Sequence, residues 1–495
     1  MTRTVFIEGS CQIGGRIAPS RVTVRAGLCD PGSSGDAVWR LARDEILIPA
    51  FHDHHTHLIG TFRPPQGPDL GGSATRQECL DRVARWLRDH PGTAPIVAEG
   101  WDQSDWDDPR LPTRAEIDRV SARRPIAMRR VCGHMAVVNS AAWDRIRPSG
   151  AEADPATGTL TESYALGIPA RWPPTPEDLL EGARNGQEAA GRAGVVAIDE
   201  MARSEQWRAF RRLDDDGGLW LRVNHAFPLD SLDSLASDGI SAGSGGARVR
   251  AAGLKGFLDG SIGARTAAIG GSYLDHDGAG MLLWEEGRLV DAVRRGSRAG
   301  FAIRLHAIGA RAIALALRAL DQAAAAASGE PHCVEHAEEL DPDLIARAAR
   351  AGIAFSMQPN FTARWQQPGG LYDRALGPDR ARRLNPYRAV AAATPLLFGS
   401  DTMPFGPLFG IAGALAHPDP AERLSAVEAI AAYAAGPIAA GRPADLVVLR
   451  VPGGDLAASL SSGTARIRWT AARGRTVWRD PSAEIPDDFL EGSAA

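Results

Sequence analysis

Residues Phe301 to Pro359 read FAIRLHAIGARAIALALRALDQAAAAASGEPHCVEHAEELDPDLIARAARAGIAFSMQP. Three short apolar runs, FAIRLHAIG, HCVEHAE and IAFSMQP, alternate with two helical stretches rich in alanine and arginine, ARAIALALRALDQAAAAA and DPDLIARAARAG. Strand, helix and strand in that order call for a parallel sheet. The rhythm runs outward in both directions. EILIPAF, GVVAIDE, LRVNHAF and LKGFLDG precede the quoted stretch, and PLLFGSD follows it. Eight such runs predict an α/β fold, a closed (β/α)8 barrel of the TIM type, with its chemistry at the C-terminal strand ends. An open doubly wound sheet is the alternative architecture.

Two regions break the rhythm. Leu58 to Val195 is far too long for one helix between strands one and two. It holds a helix (TRQECLDRVARWLRDH), a strand (APIVAEGW) and a second helix–strand unit ending in IAMRRVCGHMAVVNS, which predicts an inserted small α/β subdomain. At the chain ends, TVFIEG, SRVTVRAG, ADLVVLRVPG and TARIRWTAARGRTVWRD are short, turn-punctuated β segments. They predict a small β-sandwich built from both termini. The expected division is 1–47 and 437–482 for the sandwich, 48–62 and 185–436 for the barrel, and 63–184 for the insert. The run AAAAA at Ala323 to Ala327 reads as helix.

Composition narrows the class. At 495 residues the chain has room for one large domain with attachments, or two to three domains. A formal net charge of −5 argues against a nucleic-acid partner, because phosphate contacts need a basic face. No apolar run approaches the roughly 20 residues needed to cross a bilayer, so no membrane partner is expected. MTRTVFIEGSCQIGG lacks the apolar stretch of a signal peptide. The five cysteines are scattered and odd in number, which speaks against a disulfide framework and for a reducing, cytoplasmic location.

Candidate chemistry starts at IPAFHDHHTHLIG, Ile48 to Gly60, which spends four of the chain's 12 histidines on six positions. A histidine pair two apart on a strand turns both imidazoles to one side, which suits a metal ion. His55 and His57 end strand one, Lys255 lies in strand four, His306 ends strand five, His336 ends strand six and Asp401 ends strand eight. Each alone reads as a structural histidine, a salt-bridged lysine or a helix cap. Together they put metal-ligand types on one barrel face.

The chain resembles the amidohydrolase superfamily, in its YtcJ-like branch (amidohydrolase family 3), which includes N-substituted formamide deformylases. The resemblance rests on AFHDHHTHL, GWDQSDW, GHMAVVNS, LKGFLDGSIGARTAA, LHAIGARA, VEHAEEL, SMQPN, FGSDTMPFGP and GRPADLVVL, in the family's order. It implies that His55 and His57 bind the more buried of two divalent ions, that Lys255 bridges both as a carbamate, and that His306 and His336 bind the more exposed ion. Asp401 would touch metal and the attacking water, so that Asp401, Lys255 and His306 are the catalytic residues. An unmodified ammonium would repel a cation. Lys255, flanked by Leu254, Gly256 and Phe257, is expected to be buried enough to lose its proton and add CO2. The opposing reading pairs Lys255 with Asp259 and leaves one metal elsewhere. Zinc suits an imidazole, carboxylate and carbamate set, with iron, manganese or nickel as alternatives.

The implied activity is hydrolysis of a C–N bond in an amide-type small molecule, such as an N-formyl or N-acyl amine. The alternatives are a mononuclear deaminase, disfavoured by Lys255 and by HAIGAR after strand five, and a metal-free interaction protein. A homodimer is the default for such an enzyme. His134, Arg265, Trp101 and Gln358 are the candidate substrate contacts. Against them stand an insert core for Trp101, Trp106 and Trp143, a salt bridge for Arg265 and a strand cap for Gln358. Cys132 stands where the family commonly has Asp. His52 and His54 are expected to face away from His55 and His57. There they would pack against a neighbouring helix, with ligand tuning or substrate contact as the other readings.

Overall fold

The computed structural model describes residues 4–30, 37–327 and 329–486. The chain divides into two compact units: Met1–Phe62 with Leu180–Asp259 and Ala268–Ala495, and Arg63–Leu179 with Gly260–Ala267. In the first unit eight strands pair in chain order, each parallel to the next. They are β1 (Phe51–Thr56), β2 (Val195–Met201), β3 (Arg222–Pro228), β4 (Val249–Phe257), β5 (Ala302–Ala307), β6 (Cys333–His336), β7 (Ala354–Met357) and β8 (Leu396–Phe398). This is the TIM-type barrel. The sheet is drawn shut where β8 meets β1: Asp401 N donates to His55 O, and Ser400 N donates to Asp53 Oδ1, each at 2.8 Å. Gly399 permits that approach, since a Cβ there would lie 2.5 Å from His55 N.

The connecting helices follow local rules. Pro342–Ala351 begins at Asp341, whose side chain accepts from Leu344 N, has Pro342 in its first turn, and ends at Gly352 in the left-handed region. Ala310–Leu320 buries Ile313, Leu317 and Leu320. The alanine run beyond it is not helix. Ala324 N donates to Ser297 Oγ, Ala327 N to Gly300 O, and the His332 ring meets Ala324 O, so tertiary partners replace helical ones from Ala323 to Ala327.

EILIPAF also divides. Glu45–Pro49 pairs antiparallel with Leu446–Arg450 in a second sheet, and the barrel strand starts at Phe51, because Ala50 N turns aside to Asp445 O. That second sheet, eight-stranded and mostly antiparallel, joins both ends of the chain; its path runs from Arg475–Arg479 through Arg466–Ala472 to the hairpin Thr4–Ile13 and Arg16–Arg25, with Ala37–Arg40 pairing off that path. It encloses its own core, where Trp39 meets Trp469 edge-on at 5.2 Å among Ile7, Leu47 and Val448.

The second unit is built on a five-stranded sheet in the order Ala153–Asp154, Thr159–Thr161, Met135–Val138, Ile126–Arg130, Ile96–Trp101. Leu80, Val83, Ile96, Ile126 and Met128 form its core. Among the described residues no helix is long and apolar enough to cross a membrane.

The β8–β1 seam gives a direct test. Gly399→Ala should force the two strands apart and lower the free energy of unfolding by about 1–3 kcal/mol, read from the shift of the urea midpoint.

Candidate metal centre

The C-terminal ends of β1, β4, β5, β6 and β8 bring the six candidate ligands into one unit. His55 Nε2 lies 3.7 Å and His57 Nε2 3.3 Å from Asp401 Oδ1, and all three residues offer donor atoms within 4.8 Å of one another. Lys255 Nζ is 3.3 Å from His55 Nε2. The His55 and His336 rings are 4.8 Å apart, and His306 and His336 are 4.5 Å apart. Backbone strain marks the same places. His336, Ala337, Asp401 and Thr402 all have positive φ, between 50° and 69°, which aims the ends of β6 and β8 in ways that regular strand would not.

The imidazoles of His55 and His57 are each held from behind. Glu335 Oε2 sits 2.7 Å from His55 Nδ1, and Met201 O sits 2.8 Å from His57 Nδ1. Both acceptors require the hydrogen on Nδ1, which leaves each Nε2 directed toward Asp401. Glu200 fixes the turn that follows. It accepts from Thr56 Oγ1, Leu58 N and Ile59 N at 2.7–3.2 Å. Neither glutamate stood out in the sequence as a site residue, although Glu335 is written next to His336.

Burial dominates the electrostatics, and the exceptions are paired. It pushes the Lys255 amine down to about 8, and the Glu335 and Asp401 carboxylates only partly oppose this. It lowers His55, with the nearby Lys255 charge adding to the shift, and it lowers His336 further beside His306 and His55. It would raise Asp401, but His55 and His57 hold that carboxyl below its ordinary range. The result is neutral imidazoles at His55 and His336 beside an ionised carboxylate, while His57, buried but hydrogen-bonded to Asp401, is raised. His336 Nδ1 and Gln358 Oε1 are buried without hydrogen-bond partners among the described residues. A divalent cation fits such a donor set, because neutral imidazole nitrogen and carboxylate oxygen are its ligand types.

Asp259 lies two residues beyond the end of β4. Its carboxylate accepts from Ala268 N, Ile308 N and Gly309 N at 2.8–3.0 Å and lies 3.5 Å from His306 Nε2, tying the ends of β4 and β5 together. His52 and His54 turn to a carboxylate on β2. Both rings meet Asp199, at 2.8 and 3.2 Å, inside the barrel, because the β1–β2 pairing shifts register between Ile198 and Glu200. Gln358 is buried, and its Nε2 donates to Ser356 O at 3.2 Å.

The remaining candidates lie in the second unit. Trp101 is fully buried in the core of that unit, and its Nε1 donates to Met128 O at 3.0 Å. Trp106 is likewise buried, donating to Ser73 O. Trp143 is partly exposed, with the Arg114 guanidinium over its ring. His134 Nδ1 lies 2.8 Å from Glu162 Oε2. Arg265 Nη1 donates to the carbonyls of Ile262 and Gly263 in its own loop.

A parallel barrel that gathers histidine, lysine and aspartate at its C-terminal strand ends defines a class, the metal-site TIM barrel. The family model described as "Amidohydrolase family" matches residues 42–478, and the chain belongs to that family of hydrolases. Among curated relatives, YtcJ of Bacillus subtilis (strain 168) is 26% identical over 400 residues, covering 75% of this chain and 73% of the relative. The N-substituted formamide deformylase of Arthrobacter pascens is 25% identical over 520 residues, covering 90% and 91%. Among solved structures, an uncharacterized metal-dependent hydrolase from Pyrococcus horikoshii OT3 superposes with a TM-score of 0.73 at 23% identity. It covers 90% of this chain and 97% of that one.

Because Asp259 satisfies three buried amides, Asp259→Ala should cost at least about 3 kcal/mol of stability in urea unfolding, and Asp259→Asn, which keeps one acceptor, should cost less.

Proposed function

We propose that this chain is a metal-dependent hydrolase that cleaves a C–N bond of the amide type, with an N-formyl or N-acyl amine as substrate class. The observation that carries the reading is the arrangement of His55 and His57: each has its Nδ1 hydrogen engaged from behind, and each turns its Nε2 toward Asp401 Oδ1. Membership of the amidohydrolase family and the likeness to a formamide deformylase point to the same bond class.

In this reading His55, His57, His306, His336 and Asp401 would hold the divalent metal, and Lys255 would serve as a further ligand once carboxylated. The buried amine is prepared for that change, since a neutral lysine adds CO2 and releases one proton to give an anion where an ammonium would repel. Zinc suits the set of imidazole, carboxylate and carbamate donors. When bound, such ions polarise a carbonyl and lower the pKa of water to about 7.

Asp401 supplies the proton transfers. Its carboxylate, kept ionised by two imidazoles, accepts a proton from the attacking water and passes it to the nitrogen as the C–N bond breaks. The acyl carbon gains the oxygen, and the amine leaves neutral. In the same reading the buried Gln358 amide would contact the substrate. His134 and Arg265 have no assigned role.

The test is turnover of a panel of N-formyl and N-acyl amines, with cyclic amides and lactones as controls. Turnover should disappear on chelation and return with zinc. Asp401→Asn should lower kcat by about 10²–10⁴-fold with little change in KM, and Lys255→Ala should lower the metal content below that of the unsubstituted protein. Hydrolysis that persists in the chelated protein would overturn the reading.

A further inference from the structure

Behind the cation donors the barrel interior holds a continuous chain of charged groups, and its centre is Arg304 on β5. One arm of the guanidinium, Nη1, donates to Glu335 Oε1 at 2.9 Å and to His54 O at 3.2 Å. The other, Nη2, donates to Asp199 Oδ2 at 2.5 Å. Glu335 uses its second oxygen on His55 Nδ1. Asp199 is closed off by three further donors, Asn224 Nδ2 and the His52 ring on Oδ1 and the His54 ring on Oδ2. Arg304 is 5% exposed, Asp199 1% and Glu335 0%, so none of these charges is compensated by water.

Geometry makes this arrangement directional. A lone carboxylate at Glu335 could rotate and offer His55 either oxygen at various angles. A guanidinium is a planar fork, and with Oε1 fixed by one prong the direction of Oε2 is fixed as well. The fork is itself held on its far side by Asp199. Four donors fill that carboxylate, so it cannot swing toward a different partner. The two imidazoles of His52 and His54, with ring centroids 3.8 Å apart, thereby gain a role: they saturate the anchor of the anchor. A cation at Asp199 is unnecessary to this arrangement, because the Arg304 prong already supplies the positive charge there.

We propose that Arg304 is a positioning residue for the cation ligand His55, acting through Glu335, with Asp199, His52 and His54 holding the opposite arm of its guanidinium. The proposal rests on the reading of a cation bound at His55. One guanidinium between two carboxylates also leaves an excess of one negative charge behind the ligand, which strengthens the imidazole as a donor.

The experiment strips the full-length protein with chelator and titrates it with cobalt(II), reading affinity by chelator competition and ligand geometry from the visible absorption spectrum. Glu335→Gln keeps the shape and removes the charge; Arg304→Lys keeps the charge and removes the fork. Each should weaken cobalt binding by about 10–100-fold and alter the spectrum. The double variant should bind no worse than the weaker single one, since both changes cut the same path. Asp199→Asn, isosteric and one step further away, should shift affinity in the same direction and carries the test should Arg304→Lys fail to fold. Folded variants with unchanged affinity and spectrum, or a double variant whose loss is the product of the two single losses, would overturn the inference while leaving the metal reading intact. If the unsubstituted protein takes up no cobalt, both fall together.

Discussion

A buried charge must find a partner, and in this protein the interior of the barrel is where that rule is most demanding. Arg304, Asp199 and Glu335 come from β5, β2 and β6 and meet across the barrel with almost no exposure to solvent. Removing one partner of such a set strands a charge at a cost of several kcal/mol, so the three strands are obliged to keep their mutual register. That obligation is passed on to the site. Glu335 holds His55, Met201 O holds His57, and Glu200 holds the turn that follows them. Both imidazoles face the same way because what lies behind them leaves no other arrangement satisfied.

The second constraint is the seam. Asp401 is distant from His55 in sequence, and the two approach because β8 returns to β1 without a side chain between them at Gly399. Asp53 reinforces the seam by accepting from Ser400 N and His55 N on one oxygen, and burial pushes its carboxyl up to about 7. The left-handed backbone at Asp401 and Thr402 is tolerated within this frame. Strain at the ligand and tight closure at the seam are two sides of one arrangement, since the frame supplies the energy that the strained residues require.

The neighbouring carboxylates divide their work by what they touch. Asp401 faces two imidazoles and stays ionised. Asp259, two residues beyond the end of β4, is consumed by three backbone amides and joins the β4 and β5 loops. Their residue type is the same and their sequence surroundings, FLDGS and GSDTM, are much alike. Only the partners distinguish a candidate proton carrier from a structural tie.

Much of this could be read from the sequence. The strand–helix alternation between Phe301 and Pro359 sets a parallel sheet, and eight repeats of it set a barrel, because periodicity is a local property of the chain. The six candidate ligands were legible for the same reason, as polar residues where apolar runs give out. What the sequence could not supply was the partner of each group. EILIPAF looks like one strand, and only the competing pull of Leu446–Arg450 divides it between two sheets. Trp101 has the composition of a pocket wall and the surroundings of a core. His52 and His54 lie beside the ligands in the chain, yet a register shift against β2 turns them toward Asp199. Pairing across a barrel depends on residues from 25 to 280 positions apart, and no local pattern encodes which of them will meet. That selection belongs to the closed tertiary structure, where each buried charge accepts the partner that geometry brings within reach.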